Sequence, residues 1–317
     1  MTKYIVQRIL ALLLTLFTIL SLSFVFMRLV PGGPAGETAH PDVQLAVARR
    51  FHLDRPLPEQ YVIFLRNFLR FDFGVSMNLL PRKPVFEIIA ERAPRTIQLN
   101  LLSLALTVPV GIALGIISAL KKNSLIDHLV SVSVIINVSL PSFIFAVLMQ
   151  YFLAFQLRWF PPLFDLSPGF SWAHFHSMIL PILALSFGGI AVISRYMRAE
   201  LFEALNSEYM LLSKAKGLTQ VQSTMRHALR NSFVPLCNII LPMFFGILGG
   251  SMVIENIFSI PGLGTLMVHA ISASDYYVAM AAIFVFGIIA LVSNLVVDLS
   301  YGVIDPRIRM GGGKVRG

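Results

Sequence analysis

Six long stretches without a charged residue constrain the fold of this sequence more than any other feature. Crossing a bilayer takes about 20 apolar residues, and each stretch is long enough to do so. Because lipid offers the backbone no hydrogen-bond partner, such a segment must cross as a helix. We therefore expect an all-α polytopic membrane protein with six transmembrane helices. The predicted spans are Ile9–Met27, Thr96–Leu120, His128–Leu157, Leu166–Ser194, Asn231–Ile254 and Tyr276–Val297.

The composition excludes a soluble domain. Hydrophobic residues make up 56% of the chain and charged residues 13%, whereas a soluble domain carries about 25% charged residues. Cys237 is the single cysteine, so an internal disulfide and a cysteine-based metal cluster are excluded. His174 and His176 are spaced like metal ligands but lack a third, and we expect no metal site. The net charge of +9 points to membrane topology rather than to nucleic-acid binding.

Basic residues predict a cytoplasmic N-terminus. Lys3 and Arg8 precede the first span, and Lys121 and Lys122 follow the second. Short loops rich in Lys and Arg stay on the cytoplasmic side, and six spans return the C-terminus to that side. Residues 1–30 are interpreted as a cytoplasmic stub and the first span, because their apolar run is longer than the core of a cleaved signal peptide.

A long insertion, residues 31–95, is predicted to form an external helical subdomain between the first two spans. Pro56 and Pro58 suit the first turn of a helix, and apolar residues then recur with helical periodicity. Two interpretations stay open: a docking platform or lid over the outer mouth, and a helix that lies over the spans. The predicted apolar face consists of Tyr61, Phe64, Leu65, Phe68 and Leu69.

A seventh charge-free stretch, Asn256–Ser274, is not interpreted as a span. It contains Pro261, Gly262 and Gly264, and Pro and Gly free backbone groups that lipid cannot satisfy. We expect an outer re-entrant segment over residues 255–275, within a core that comprises residues 96–317.

The loop between the fourth and fifth spans, residues 195–233, carries strong helix signals. Glu208–Lys216 reads as a helix with an acid in its first turn and lysines in its last, and Gly217 sits where a left-handed residue ends a helix. Thr219 and Gln222 fit a capping box, which predicts a second helix to about Asn231. The apolar residues of this loop allow two interpretations. They contact a partner protein, or they pack on the base of the chain's own helix bundle. The second is favoured for a membrane protein in general.

The motifs along the chain resemble those of transmembrane permease subunits of binding-protein-dependent ABC importers, in particular the dipeptide/oligopeptide branch. The loop 195–233 resembles the family's EAA loop, although Leu212 and Ser213 depart from its usual residues. The matching motifs are Glu208-Tyr209, Lys214-Ala215-Lys216-Gly217-Leu218, His227-Ala228-Leu229-Arg230-Asn231-Ser232, the segment from Glu255 to Gly264, Asp275-Tyr276 and the tail Asp305-Pro306-Arg307.

This resemblance implies the type I ABC importer permease fold and a place in the bacterial cytoplasmic (inner) membrane. The implied partners are a second, similar permease, two cytoplasmic ATPases, an extracytoplasmic substrate-binding protein and membrane lipid. The chain itself would be non-catalytic and bind no cofactor, because ATP and Mg²⁺ belong to the ATPases. The implied cargo is a short peptide, with a nickel chelate or glutathione as the alternative. Gly311–Lys314 is no phosphate loop, since Val315 stands where Ser or Thr is needed.

Three groups of site residues follow from the resemblance and from polar positions within apolar spans. The residues expected to couple to an ATPase are Glu208, Tyr209, Leu212, Lys214, Ala215, Lys216, Gly217, Leu218 and Arg230. The residues expected to line the translocation path are Asn137, Ser139, Pro141, Ser142, Asn238 and Ser251. The residues expected at an outer gate or at the contact with the binding protein are Glu255, Pro261, Gly262, Gly264 and Asp275.

Two other classes of protein compete with this interpretation. A secondary transporter or channel would favour charges inside the spans or broken-helix repeats. An intramembrane enzyme would need paired catalytic groups within the spans, and we find none. For each path residue taken alone, a hydrogen bond between helices is the simpler role.

Overall fold

The structure, a computed structural model, describes residues 2–29, 48–49, 52–167, 169, 171–245 and 252–304. Its described elements are helices, apart from one isolated bridge between Val75 and Pro84. The α-helices are α1 Thr2–Leu29, α2 Leu57–Leu69, α3 Val85–Leu120, α4 Leu125–Ser139, α5 Ser142–Met149, α6 Trp172–Leu205, α7 Glu208–Ala215, α8 Gln220–Ser223, α9 Leu229–Phe245, α10 Met252–Ile257, α11 Leu263–Ser272 and α12 Tyr276–Ile304.

Four of the six predicted spans are confirmed as long, apolar helices that could cross a membrane. They are α1, α3, α6 and α12, and the apolar part of α12 has the predicted bounds, Tyr276–Val297. Helix α3 begins at Val85, so the predicted boundary at residue 95 lies inside a continuous helix. Helix α6 continues to Leu205, well past the predicted end at Ser194.

The third predicted span is not one straight helix. Helix α4 ends at Ser139, and α5 starts at Ser142 and continues as a π-helix over Gln150–Gln156. The axes of the two halves differ by 104°. The break follows from Pro141, because proline disfavours helical geometry in the residue before it, and Leu140 is extended with ψ 130°.

The predicted end of the second loop helix near Asn231 is wrong. Helix α8 passes through a π-helical turn, Thr224–Ala228, directly into α9. Pro235 and Pro242 lie inside α9, so neither proline ends the helix. Residues 246–251 of the fifth predicted span lie outside the described residues, as do residues 31–47 and the tail after Ile304.

One compact unit combines residues 1–97 with residues 248–292, and its core is rich in aromatic rings. The ring centroid of Phe64 in α2 lies 5.2 Å from that of Phe24 in α1. The ring centroid of Phe68, also in α2, lies 5.2 Å from that of Phe284 in α12. The predicted apolar face of α2 therefore packs over the chain's own spans. Leu69 is the exception, since it is 83% exposed.

The other unit, residues 98–247 with 293–317, contains a close crossing of α3 and α6. A Cβ added at Gly115 would lie 2.6 Å from the Met197 Cβ, and one added at Gly111 would lie 2.8 Å from the Ile193 Cβ. Small residues spaced by four positions allow helix backbones to approach in lipid, where packing drives association. The two helices therefore touch at backbone distance along successive turns.

We expect Gly115→Ala to destabilise the protein and Gly188→Ala to leave it unchanged or slightly stabilised. Overpacking at Gly115 costs about 1–3 kcal/mol, which exceeds the helix propensity gained from alanine, about 1 kcal/mol. A Cβ at Gly188 has no neighbour within 4 Å. Thermal unfolding of the detergent-purified variants measures the difference. Equal melting temperatures for the two variants would contradict the close crossing.

Candidate coupling loop and outer segment

The loop between the fourth and fifth predicted spans contains a helical hairpin, α7 and α8. Helix α7 ends with Lys216 as its C-cap, and Gly217 follows with φ +84°. The Gly217 N–H donates to the Lys214 carbonyl at 2.9 Å and the Leu218 N–H to the Ser213 carbonyl at 3.3 Å. These two bonds make a Schellman motif, so the predicted role of Gly217 as a left-handed helix end is confirmed.

A capping box starts the second arm of the hairpin, as predicted. The Gln222 N–H donates to the Thr219 hydroxyl at 3.3 Å, and the Thr219 N–H donates to the Gln222 side chain at 3.1 Å. Two orphan donors at the start of α8 are thereby satisfied. The turn between the arms is fixed on both sides.

Two buried side chains tie the hairpin together and to the bundle. The Ser213 hydroxyl donates to the Ser223 hydroxyl at 2.8 Å, which links α7 to α8. Met210, 1% exposed, belongs to a buried cluster with Met197 and Leu201 of α6. The serine that departs from the family's usual residue thus makes a bond between the two arms, and part of the loop packs on its own bundle.

The other face of the hairpin is exposed and apolar. Leu211 is 68% exposed and Leu212 57% exposed, and Val221 and Met225 of the second arm are also exposed. Sequence reasoning missed Val221 and Met225, although their spacing of four residues was a signal. The predicted coupling residues lie on the exposed surface of the hairpin or are half-buried: Glu208, Tyr209, Leu212, Lys214, Ala215, Lys216, Gly217, Leu218 and Arg230.

In the outer segment, the Glu255 carboxylate occupies the N-terminus of α11. Its Oε2 accepts from the backbone N–H groups of Gly264 at 2.7 Å and Thr265 at 3.1 Å. Its Oε1 accepts from the Thr96 hydroxyl at 2.8 Å, and that hydroxyl oxygen accepts from the Leu263 N–H at 2.8 Å. The first backbone donors of the helix, which have no partner within it, are all satisfied.

This arrangement explains the two glycines that flank Leu263. A Cβ at Gly262 would lie 2.5 Å from both the Glu255 carboxyl carbon and the Thr96 Oγ1, and a Cβ at Gly264 would lie 2.7 Å from the Met252 Cα. Helix α11 has ten residues, too few to cross a bilayer. The prediction that this stretch is not a span is confirmed for the described residues.

Asp275 has a similar role in the same unit. Its Oδ2 accepts from the Ser76 hydroxyl and from the backbone N–H groups of Met77 at 2.9 Å, Asn78 at 3.0 Å and Leu79 at 3.0 Å. It thereby joins the outer insertion to the start of α12. Glu255 and Asp275 are both 0% exposed, so neither carboxylate reaches a partner in this state. Sequence reasoning missed their partners Thr96 and Ser76, which lie far away in the chain.

The predicted path residues lie around the break between α4 and α5 and on α9. Ser139, Pro141, Ser142 and Asn238 are exposed, and Asn137 is half-buried. Ser139 borders a cavity of about 490 Å³ between α4 and α6, whose wall also includes Ser131 and Ser194. Ser251 lies outside the described residues.

We expect Glu255→Ala to destabilise the protein strongly and Glu59→Ala to have little effect. The first change orphans buried donors on α11, each worth about 1–3 kcal/mol. Glu59 is 58% exposed at its side chain and, among the described residues, pairs with Arg55, and such a surface pair contributes about 0–1 kcal/mol. Thermal unfolding in detergent and the amount of protein in the membrane measure both. A melting temperature of Glu255→Ala equal to that of Glu59→Ala would show that the carboxylate does not hold α11.

Two family descriptions match the chain. Residues 111–310 match the family described as "Binding-protein-dependent transport system inner membrane component". Residues 1–100 match the family of the N-terminal part of such membrane components. Together the two matches include the hairpin, the outer segment and the described spans, apart from residues 101–110 within α3.

Curated relatives match along the whole chain. A dipeptide transport system permease protein, DppB, of Lactococcus lactis is 39% identical over 98% of this chain and 100% of its own. An oligopeptide permease protein, OppB, of Haemophilus influenzae is 35% identical, again over 98% and 100%. A glutathione permease protein, GsiC, of Escherichia coli K12 is 35% identical over 98% and 99%.

A solved structure supports the fold. The MetNI methionine ABC transporter in inward-facing conformations contains a chain that matches with a TM-score of 0.55 and 16% identity, over 69% of this chain and 97% of that one. At this identity the match concerns the fold alone. The chain, mostly helical in its described residues, is therefore a multi-pass inner-membrane protein that belongs to the inner membrane component family of binding-protein-dependent transport systems, the permeases of ABC importers.

Proposed function

We propose that this chain forms one half of the translocation path of an ATP-driven importer of short peptides. The partners are a second, similar permease, two cytoplasmic ATPases that bind ATP and Mg²⁺, and an external binding protein that delivers the peptide. Family membership and the full-length likeness to relatives named for dipeptide and oligopeptide transport support this proposal.

The observation that carries the proposal is the hairpin's exposed apolar face on a rigid base. Met210 anchors α7 to α6, while Leu211 and Leu212 face outward. A contiguous exposed apolar patch marks an interaction site. We assign this face to a groove on one ATPase, so that closure of the ATPases around ATP pulls the hairpin and α6 with it. Hydrolysis then reverses the movement.

The proposal places the hairpin, the N-terminus and the C-terminus in the cytoplasm. It places the insertion 31–95 and the segment 255–275 on the outer side, where Glu255, Pro261, Gly262, Gly264 and Asp275 set the shape of the outer gate. Because the two carboxylates are buried, they act by holding this segment in place rather than by touching the binding protein directly.

Polar groups beside the α4–α5 break are proposed to line the path for the peptide. Proline at a helix break frees backbone groups, and these are tolerated at membrane depth only where protein or a water-filled cavity receives them. Exposure of Ser139 to the cavity between α4 and α6 fits that role. The remaining proposed path residues are Asn137, Pro141, Ser142, Asn238 and Ser251.

We expect Gly217→Val to abolish peptide uptake and the stimulation of ATP hydrolysis by the loaded binding protein. A β-branched residue is disfavoured at φ +84°, because left-handed geometry costs about 1–2 kcal/mol even for an ordinary residue. The change would tilt one arm of the hairpin against the other. Both activities are measured on the complete complex in proteoliposomes, with membrane insertion checked by immunoblotting.

Gly217→Asn is the matched control. Asparagine tolerates the left-handed region, and no atom lies within 4 Å of a Cβ at this position. The control should transport at close to the wild-type rate. Normal uptake by Gly217→Val, with the variant protein in the membrane, would refute the coupling role.

The cargo is tested by uptake with the binding protein that associates with this complex. We expect ATP-dependent accumulation of a labelled dipeptide that unlabelled dipeptide suppresses at least tenfold more effectively than glutathione does. Glutathione is the second candidate, because a relative named for glutathione transport is 35% identical over 98% of the chain. Accumulation of glutathione or of a nickel chelate, with no dipeptide uptake, would assign the importer to that alternative cargo.

A further inference from the structure

An ion pair between the buried Asp127 and the partly exposed Arg198 connects three helices beside the hairpin, at the ends that the proposed function places in the cytoplasm. Arg198 of α6 donates from Nε to Asp127 Oδ1 at 2.6 Å and from Nη2 to Oδ2 at 2.8 Å. Asp127, in the first turn of α4, also accepts from the Ser118 hydroxyl of α3 and from the Asn123 N–H at 3.0 Å. We call these four residues the Asp127 clamp.

The clamp fixes geometry in a way that apolar packing would not. The Asp127 side chain is 3% exposed, and each of its oxygens accepts two hydrogen bonds. The free energy of taking the Asp127 charge out of water offsets much of what the ion pair gains, so stability alone does not account for its presence. A bidentate arginine–carboxylate contact sets both distance and direction. The clamp therefore fixes how α4 sits on α6.

Arg198 lies in the part of α6 that carries the hairpin. Its neighbour Met197 and Leu201, on the next turn, belong to the buried cluster that receives Met210 of α7. Met197 also faces Gly115 at the close crossing with α3. One turn of α6 thus contacts the hairpin, α3 and α4.

We propose that the Asp127 clamp is a positioning contact that makes α3 and α4 move with the hairpin during transport. This inference rests on the proposed function and extends it. The hairpin is joined through the chain to α6 and α9, so its movement would by itself displace only the fourth and fifth predicted spans. The clamp also links α6 to α3, which is the second span, and to α4, which is the first half of the third. It thereby transmits hairpin movement to the α4 wall of the cavity that Ser139 borders.

The test compares uptake per ATP hydrolysed in assembled complexes in proteoliposomes. We expect Asp127→Asn and Arg198→Lys to assemble, to hydrolyse ATP at no less than half the wild-type rate, and to take up at least tenfold less peptide per ATP. Arg198→Lys keeps the positive charge but loses the two-bond geometry. Ser118→Ala removes one of the four bonds and keeps both charges, so we expect a smaller drop of about two- to threefold, judging from its share of the contact.

Lys121→Gln is the matched control, since it removes one positive charge three residues from Ser118, and its exposed side chain makes no bond in the clamp and does not line the cavity. It should keep the wild-type ratio of uptake to hydrolysis. A purely structural clamp would lower assembly or the melting temperature while leaving that ratio unchanged in the complexes that form, and this result would overturn the inference. If the Asp127 and Arg198 variants fail to assemble, an unchanged ratio in Ser118→Ala overturns it equally.

The same experiment separates this inference from the proposed function. If the wild-type complex shows no ATP-driven peptide uptake, the proposed function fails. If the wild type transports, Gly217→Val does not, and the clamp variants keep the wild-type ratio, only the inference about the clamp fails.

Discussion

Three buried carboxylates stabilise turns and helix starts on which the tertiary structure of this chain depends. Asp127, Glu255 and Asp275 are each at most 2% exposed. Each accepts at least one backbone N–H that lies in a turn or at the start of a helix. Burying a charge is unfavourable unless hydrogen bonds compensate it, and here every carboxylate receives several. Asp127 stabilises the turn between α3 and α4, and Glu255 and Asp275 stabilise the outer segment within its own unit.

The hairpin is held both by hydrogen bonds between nearby residues and by tertiary contacts. Its two turns are closed by backbone and side-chain bonds that depend only on nearby residues, around Gly217 and Thr219. Its position depends on Met210 and on the Ser213–Ser223 bond, which are tertiary. A rigid element of this kind can pass a displacement from an exposed face to a spanning helix, as the proposed coupling requires.

The elements that sequence predicted well are those set by local chemistry. Charge-free length located α1, α3, α6 and α12, and the glycine and capping signals located both turns of the hairpin. Prediction failed where tertiary context decides. Charge-free length could not reveal the break at Pro141, nor that α8 would continue into α9 past Asn231. The roles of Glu255 and Asp275 depend on Thr96 and Ser76, whose proximity in space leaves no mark in the spacing of residues.

The length of α6 has a consequence for electrostatics. With 34 residues it extends for about 51 Å, whereas the hydrocarbon core is about 30 Å thick. Under the proposed orientation, Leu205 lies eleven residues, or about 16 Å along the helix, beyond Ser194, the predicted end of the span, and this distance exceeds the Debye length of about 8 Å at physiological ionic strength. The negative surface potential of anionic lipids is largely screened at that distance. The position of the far end of α6 therefore depends on its protein neighbours and hardly at all on the lipid composition of the bilayer.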